Sequence, residues 1–187
     1  MDSPRLFRRL LKVVVYTRPM VFTLHDFHAD SAECVRQFNA FAAKHSLSGY
    51  ALPDHICYKC GSAESFERVR KLFESESEYI FQSIISARRI SYIKFKKPLV
   101  SGLGPIAFLE LSDQKPDGSQ GDGFDHIEVY PVAMPYEDFV RRFENAERVI
   151  KVERPHHATY DIEIGGGFIF RCTREPLIEK IKRSEMV

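Results

Sequence analysis

The tripeptide Asp-His-Ile occurs twice in this 187-residue chain, at 54–56 and at 125–127, and each copy heads the same order of structural patterns. A strand pattern comes first, then a helical pattern, then three more strand patterns. A loop rich in Asp, Gly, Ser and Pro, residues 112–123, separates the two copies. The repeat predicts an α+β fold in which two βαβββ modules, about 50–112 and 123–187, form one curled mixed sheet, a cup.

A further helix is predicted in front of the first module. Between Asp30, which can cap it, and Lys44, the apolar residues fall at helical spacing on one face. His25 and His28 lie just before this helix in a polar stretch, and we interpret them as part of its cap. The expected architecture is therefore the two-module cup with an added N-terminal helix.

Residues 1–22 differ in charge from the rest of the chain, because they carry five basic side chains while Asp2 is their one acidic residue. Such a composition is typical of a mitochondrial transit segment. The alternatives are a frayed tail and an extra strand formed by "KVVVY". We expect a basic N-terminal extension, residues 1–22, followed by a single domain, residues 23–187.

Charge and cysteine content exclude several classes of function. Lys plus Arg number 27 and Asp plus Glu number 26, so no basic field points to nucleic acid. No apolar run approaches the ~20 residues that span a bilayer, and we expect no membrane partner. The four cysteines are too few for a disulfide scaffold, which indicates a reducing compartment. We expect a cytoplasmic protein, or a mitochondrial one if the extension is a transit segment; the sequence does not predict the oligomeric state.

The stretch "DHICYKC", residues 54–60, can be a CxxC motif, one side of a metal site or a buried strand. A redox or zinc CxxC needs both sulfurs on one side of a helix terminus or turn. Side chains alternate across a strand, so a strand places Cys57 and Cys60 on opposite faces. We therefore favour the strand and expect no functional cysteine pair.

The same alternation places three potential metal ligands on strand faces. His55 shares a face with Cys57, and His126 shares a face with Glu128. Glu110 lies within the otherwise apolar strand "PIAFLEL", where a carboxylate must be solvated, paired or bound to a cation. Two histidines and one carboxylate suit a divalent metal and leave positions for water and substrate. The alternatives are packed, hydrogen-bonded histidines and a surface-facing Glu110.

The stretch "PHHATYD" offers weaker candidates. His156, His157 or Asp161 could complete the metal site from a neighbouring strand.

Five segments in order resemble the YecM-like proteins, a family of the vicinal-oxygen-chelate superfamily that includes glyoxalases and extradiol dioxygenases. They are "DHICYK", "IISARRISYIKFKKPL", "FLELSDQKP", "GFDHIEVYP" and "GGGFIFRCT", and the likeness covers about residues 25–183. The resemblance implies two βαβββ modules in one cup, with metal ligands near its floor. It places His55, Glu110 and His126 at the ligand positions.

The chain departs from the family pattern in two places. "SARRI" replaces an Asn-Gly-Arg-Pro-Ile segment, although Arg88 still falls where that segment has arginine. In the last strand of the second module, where larger relatives supply a second carboxylate, the chain offers Phe170 or Arg171, and neither binds a metal. The fourth ligand is therefore open, and a glyoxalase-type proton shuttle by that carboxylate is not expected.

Cationic side chains near the cup predict an anionic ligand. The strand "ISYIKF", residues 90–95, alternates between a more apolar face, which should pack against a helix, and a face with Tyr92 and Lys94. Arg88 begins this strand, and Arg171 can also face inward. We expect these four residues to bind substrate; the alternative is that Lys94 and Arg171 point to solvent.

These observations favour a metal-dependent enzyme of the vicinal-oxygen-chelate type, with one divalent ion that is Zn, Mn, Fe or Ni. Its substrate would be a small, oxygen-rich anion, and its reaction that of an isomerase, lyase or dioxygenase. The alternatives are a non-catalytic module that binds a metal or a small ligand, and a scaffold without a ligand.

Overall fold

The computed structural model describes residues 23–85, 87–153 and 158–185. The N-terminal extension, with its predicted transit segment or extra strand, lies outside the described residues, and so do His156 and His157. No helix in the described ranges is long and apolar enough to cross a bilayer.

The order of elements follows the predicted repeat. The first helix precedes the first module, whose elements are α1 Leu24–Lys44, β1 Ala51–Lys59, α2 Ala63–Leu72, β2 Ser77–Ile85, β3 Arg88–Ser101 and β4 Gly104–Ser112. The second module consists of β5 Gly123–Pro131, α3 Tyr136–Arg141, β6 Val149–Glu153, β7 Ala158–Gly165, β8 Phe168–Cys172 and α4 Leu177–Glu185.

All eight strands form one sheet in the order β2-β3-β4-β1-β5-β8-β7-β6. Within each module the first strand lies beside the last and runs parallel to it, β1 with β4 and β5 with β8. The two modules join through the antiparallel pair β1 and β5. The predicted architecture, two βαβββ modules in one mixed sheet with an added N-terminal helix, is confirmed.

One face of the sheet carries the hydrophobic core and packs against the helices. From α1, Phe38 and Phe41 pack against Phe170 of β8, with ring centroids 5.6 and 4.7 Å from that of Phe170. Ile93 and Phe95 of β3 are in the same core, as the alternation of that strand predicts. Alternate residues of the central strands therefore point to the other face, which we call the site face.

The helix α1 begins earlier than predicted. Thr23 is its N-cap and Asp26 completes a capping box, in which the amide of Asp26 donates to Oγ1 of Thr23 and the amide of Thr23 donates to Asp26. These reciprocal bonds satisfy amide donors that helix formation leaves unpaired, so the helix starts at Leu24. The prediction of a start at Asp30 was wrong, and His25 and His28 lie inside the helix.

Candidate metal centre

The repeated tripeptide places an aspartate–histidine pair in each module. Nδ1 of His55 lies 2.8 Å from Oδ2 of Asp54, and Nδ1 of His126 lies 2.8 Å from Oδ2 of Asp125. Both histidines are buried at 1% exposure. Because an ionised carboxylate can only accept, each Nδ1 is the donor and each Nε2 is left as the basic nitrogen. This is the arrangement that orients histidine ligands in metal sites.

The three predicted ligands lie together on the site face. In the β1–β4 pairing Cys57 is opposite Glu110, and in the β1–β5 pairing Cys57 is opposite His126. The ring centroids of His55 and His126 are 5.5 Å apart. One ligand atom from each of His55, Glu110 and His126 lies within 4.8 Å of the other two. The strands therefore bring these residues to one point.

The spacing of these atoms fits a bound ion. Among the described residues, Nε2 of His55 is a buried nitrogen without a hydrogen-bond partner, and it lies 3.5 Å from Oε2 of Glu110. That separation exceeds an ordinary N–H···O hydrogen bond of ~2.7–3.2 Å. Two ligand atoms each about 2.0–2.2 Å from a tetrahedral ion are about 3.3–3.5 Å apart. Two imidazoles and a carboxylate accept Zn, Mn, Fe or Ni, so the residues present fit a divalent ion.

Electrostatics distinguish the two histidines. Burial disfavours a charged His55, but the hydrogen bond to Asp54 and the nearby carboxylate of Glu110 outweigh it and raise its pKa to about 10. Burial and the positive charge of Arg171 lower the pKa of His126 to about 4. His126 is therefore neutral at neutral pH, which is the form that binds metals, whereas an ion at His55 must displace a proton.

Glu110 is ionised. Burial alone would raise the pKa of its carboxyl group, but the charged His55 beside it holds that pKa well below its ordinary value. Its side chain is 21% exposed, so the site opens to solvent here.

Arg171 on β8 stands beside His126. Its Nε and NH2 donate to the two carboxylate oxygens of Asp161 at 2.8 and 2.7 Å. Its NH1 is 3.1 and 3.0 Å from the two ring nitrogens of His126. Because these distances are nearly equal, NH1 lies over the imidazole face and not along the lone pair of Nε2. Arg171 thus faces the site, whereas Phe170 is in the core.

The other proposed substrate-binding residues have different surroundings. Tyr92 is 1% exposed, and its hydroxyl donates to Oδ1 of Asp54 at 3.1 Å. Lys94 forms an ion pair with Glu78 at 2.5 Å, and NH1 of Arg88 donates to the side chain of Gln120 at 2.8 Å. Within the described part of the chain, Tyr92 and Arg171 contact the candidate metal ligands, and Arg88 and Lys94 do not.

The two cysteines of the CxxC sequence lie on opposite sides of the sheet. Cys60 belongs to the hydrophobic core, while Sγ of Cys57 donates to Oε1 of Glu110 at 3.4 Å. Both are free cysteines. The structure therefore forms no redox or zinc pair from them, in agreement with the strand interpretation.

Four further acidic groups surround the candidate ligands: Asp54, Asp125, Asp161 and Glu128. Asp54 also accepts from the amide of Leu177 at the start of α4, 3.0 Å away, and Asp125 forms an ion pair with Lys59. Both aspartates belong to the repeated tripeptide, so the repeat could have indicated that they lie beside the histidines. Asp161, which the sequence offers as a further candidate ligand, forms an ion pair with Arg171 at 2.7 Å. The fourth group is Glu128, which had been assigned to the face of His126.

The comparisons with known proteins agree with this architecture. A family model described as YecM protein matches residues 23–164. The chain belongs to the YecM family. No curated protein matches this YecM-family chain.

Among solved structures, the structural-genomics protein EC4020 matches with a TM-score of 0.68 at 20% identity, covering 87% of this chain and 92% of its own. A methylmalonyl-CoA epimerase in complex with methylmalonyl-CoA and NH4+ matches with a TM-score of 0.46 at 16% identity, covering 70% and 98%. A variant of the Streptomyces coelicolor methylmalonyl-CoA epimerase, bound to 2-nitronate-propionyl-CoA, gives 0.44 at 16%, covering 66% and 96%. The likeness to EC4020 supports the fold.

Proposed function

We propose that this YecM-family protein binds one divalent metal ion through His55, Glu110 and His126 and acts there on a small, oxygen-rich anion. The observation that carries the proposal is the pair of Asp–His units, which leave Nε2 as the basic nitrogen of two histidines that lie beside one carboxylate. A buried Nε2 without a hydrogen-bond partner is costly unless something else binds it. A cation ligated there removes that cost.

The surrounding residues have distinct roles in this proposal. When bound, the ion would supply Lewis acidity and a template for two neighbouring oxygens, as an isomerase, lyase or dioxygenase of this type requires. Asp54 and Asp125 orient the imidazoles, and Tyr92 acts through Asp54 as a positioning residue. The sheet and core exclude water from one side of the ligands.

Arg171 supports the anionic character of the substrate. Its guanidinium lies next to His126 and is fixed by Asp161, so NH1 is in place beside any anion that reaches the ligands. In this proposal Arg88 would bind substrate only by leaving Gln120, and Lys94 only by leaving Glu78.

Elemental analysis of the full chain, purified without added metal, tests the metal site. About one divalent ion per chain is expected, and Ala at His55, Glu110 or His126 should lower occupancy strongly. His45→Ala is the matched control, because His45 is also a largely buried histidine beside a carboxylate, Glu147, but lies away from the cluster. Unchanged occupancy in all three ligand variants contradicts the assignment.

A non-catalytic binding module is the second candidate. In the first module Cys57 pairs with Glu110, and at the equivalent place in the second module Glu128 pairs with Arg171. Arginine therefore stands where the repeat would put a second carboxylate, which removes one acid–base group. Turnover of a panel of 1,2-dioxygenated compounds by the metal-loaded protein favours the enzyme; thermal stabilisation by the same compounds without turnover favours the binding module.

A further inference from the structure

Glu128 is a buried carboxylate that the proposed ligand set does not use. It lies in the middle of β5, is 6% exposed, and forms no hydrogen bond within the described residues. Its closest ion-pair approach there is 4.0 Å, from Oε2 to Nε2 of His126. Burying a carboxylate without a hydrogen bond is costly, and a cation bound beside Glu128 would offset that cost.

The register places Glu128 between the two ligating imidazoles. It is directly opposite His55 in the β1–β5 pairing and two residues after His126, so all three side chains share the site face. A carboxylate oxygen of Glu128 lies within 4.8 Å of a ring nitrogen of His55. The carboxylate therefore borders the same space as the Nε2 atoms.

Arg171 does not satisfy this carboxylate. It is opposite Glu128 in the β5–β8 pairing, but Nε and NH2 are bound to Asp161 and NH1 lies over His126. Lys180, whose charge also acts on Glu128, donates to Oγ1 of Thr173 at 3.0 Å. Both of these cations thus have other partners, and Glu128 faces the imidazoles of His55 and His126.

We propose that Glu128 is a fourth protein ligand of the ion held by His55, Glu110 and His126. The inference rests on the proposed function, since it requires an ion at that site. Four protein ligands fill the coordination sphere of tetrahedral zinc but leave two positions on an ion that takes six ligands. A substrate could therefore reach the ion only where the ion takes more than four ligands.

Replacement of Glu128 by Gln tests the inference in the full chain, with Zn(II) and Co(II) as the probes. Glu144→Gln is the matched control, because it removes the same charge from an exposed glutamate after α3. We expect Glu128→Gln to weaken Zn(II) binding by more than about 100-fold, beyond the 10–100-fold typical of groups that only support a ligand. The visible spectrum of the Co(II) protein should also change, since an amide is a much weaker ligand than a carboxylate.

The Co(II) spectrum distinguishes a residue that binds the ion from one that only places a charge near it. A weaker affinity with an unchanged Co(II) spectrum overturns the proposal, because a purely electrostatic role leaves the ligand set intact. If the wild-type chain binds neither Zn(II) nor Co(II), the proposed function fails as well; if it binds both and the variant matches it, only the role of Glu128 fails.

X-ray absorption or a crystal structure of the metal-loaded wild-type protein decides the case even if the variant does not fold. A Glu128 oxygen about 2.0–2.2 Å from the ion supports the proposal, and a separation beyond about 3 Å overturns it.

Discussion

Replacing Asp54 by Asn should weaken metal binding while the fold persists. The Asp54 carboxylate, 5% exposed, accepts three hydrogen bonds: from Nδ1 of His55 at 2.8 Å, from the amide of Leu177 at 3.0 Å and from the hydroxyl of Tyr92 at 3.1 Å. An Asn carbonyl in the place of Oδ2 keeps the first two. The amide group then faces Tyr92, whose hydroxyl can accept instead of donating. The substitution therefore removes mainly the negative charge.

The expected magnitudes follow from that loss of charge. A hydrogen bond to a charged group contributes about 1.5–3 kcal/mol and a neutral one about 0.5–1.5 kcal/mol, so the two bonds at Oδ2 each weaken by roughly 1 kcal/mol. The free energy of unfolding should fall by about 2 kcal/mol. Metal affinity should fall by about 10–100-fold, because the carboxylate no longer increases the basicity of His55.

Two measurements separate these effects. Urea unfolding with excess chelator gives the stability of the metal-free chain, and competition with a chelator of known affinity gives the Zn(II) dissociation constant. Asp138→Asn serves as the control, because Asp138 is half-exposed and forms an ion pair with Arg141 in α3, away from the candidate ligands. If Asp54→Asn lowers stability as expected but binds Zn(II) as tightly as the wild type, Asp54 supports the fold and not the metal ligand, and the reasoning fails.

Further predictions concern the core, the cysteines, the N-terminal extension and the anion. Phe38→Ala should lower the free energy of unfolding by about 3–5 kcal/mol in urea, because Phe38 is fully buried in the core; a loss below about 1 kcal/mol would mean that α1 is peripheral. The double Cys57→Ser, Cys60→Ser protein should keep its metal and fold; zinc loss there alone would restore the CxxC interpretation. Deletion of residues 1–22 should lower the melting temperature by less than about 10 °C, and a larger drop would place "KVVVY" in the sheet. With metal present, small carboxylates or catecholates should raise the melting temperature more than neutral analogues, and Arg171→Gln should abolish the difference; best stabilisation by uncharged compounds would contradict an anionic ligand.

Much of the fold could be predicted because each pattern has one dominant cause. The repeated tripeptide sets the module boundaries, and alternation along β3 sends Ile93 to the core. The start of α1 was mispredicted because Thr23 and Asp30 are both good capping residues. The choice between them depends on the reciprocal bond with Asp26, a matter of local geometry that composition does not reveal.

Individual site residues could be predicted from the sequence, but their contacts depend on tertiary structure. Glu110 stands out because it interrupts an apolar strand. The pairing of Lys94 with Glu78 depends on a register shift between Ser77 and Tyr79, which no sequence pattern signals. The bond from Leu177 to Asp54 joins residues 123 positions apart. The sequence therefore does not predict which cationic side chain lies near the site, because that depends on the register of the strands.

The two modules contribute to the site in matched but inverted ways. Each supplies one histidine from its first strand. The position two residues later pairs with the module's last strand, Cys57 with Glu110 in one module and Glu128 with Arg171 in the other. Both pairs contain one carboxylate. It lies on β4, the last strand of the first module, but on β5, the first strand of the second.

In the proposed centre this inversion would match the charge of the ion to that of the carboxylates that bind it. Glu110 and Glu128 together would carry two negative charges, which a divalent ion would neutralise if the histidines bind as neutral imidazoles. Arg171 and Asp161 cancel each other as a bidentate pair. A third carboxylate in the place of Arg171 would leave an excess negative charge in a buried site and would deprive Asp161 of its partner, both of which are costly. The arginine is therefore compatible with a metal centre as long as the second carboxylate comes from β5.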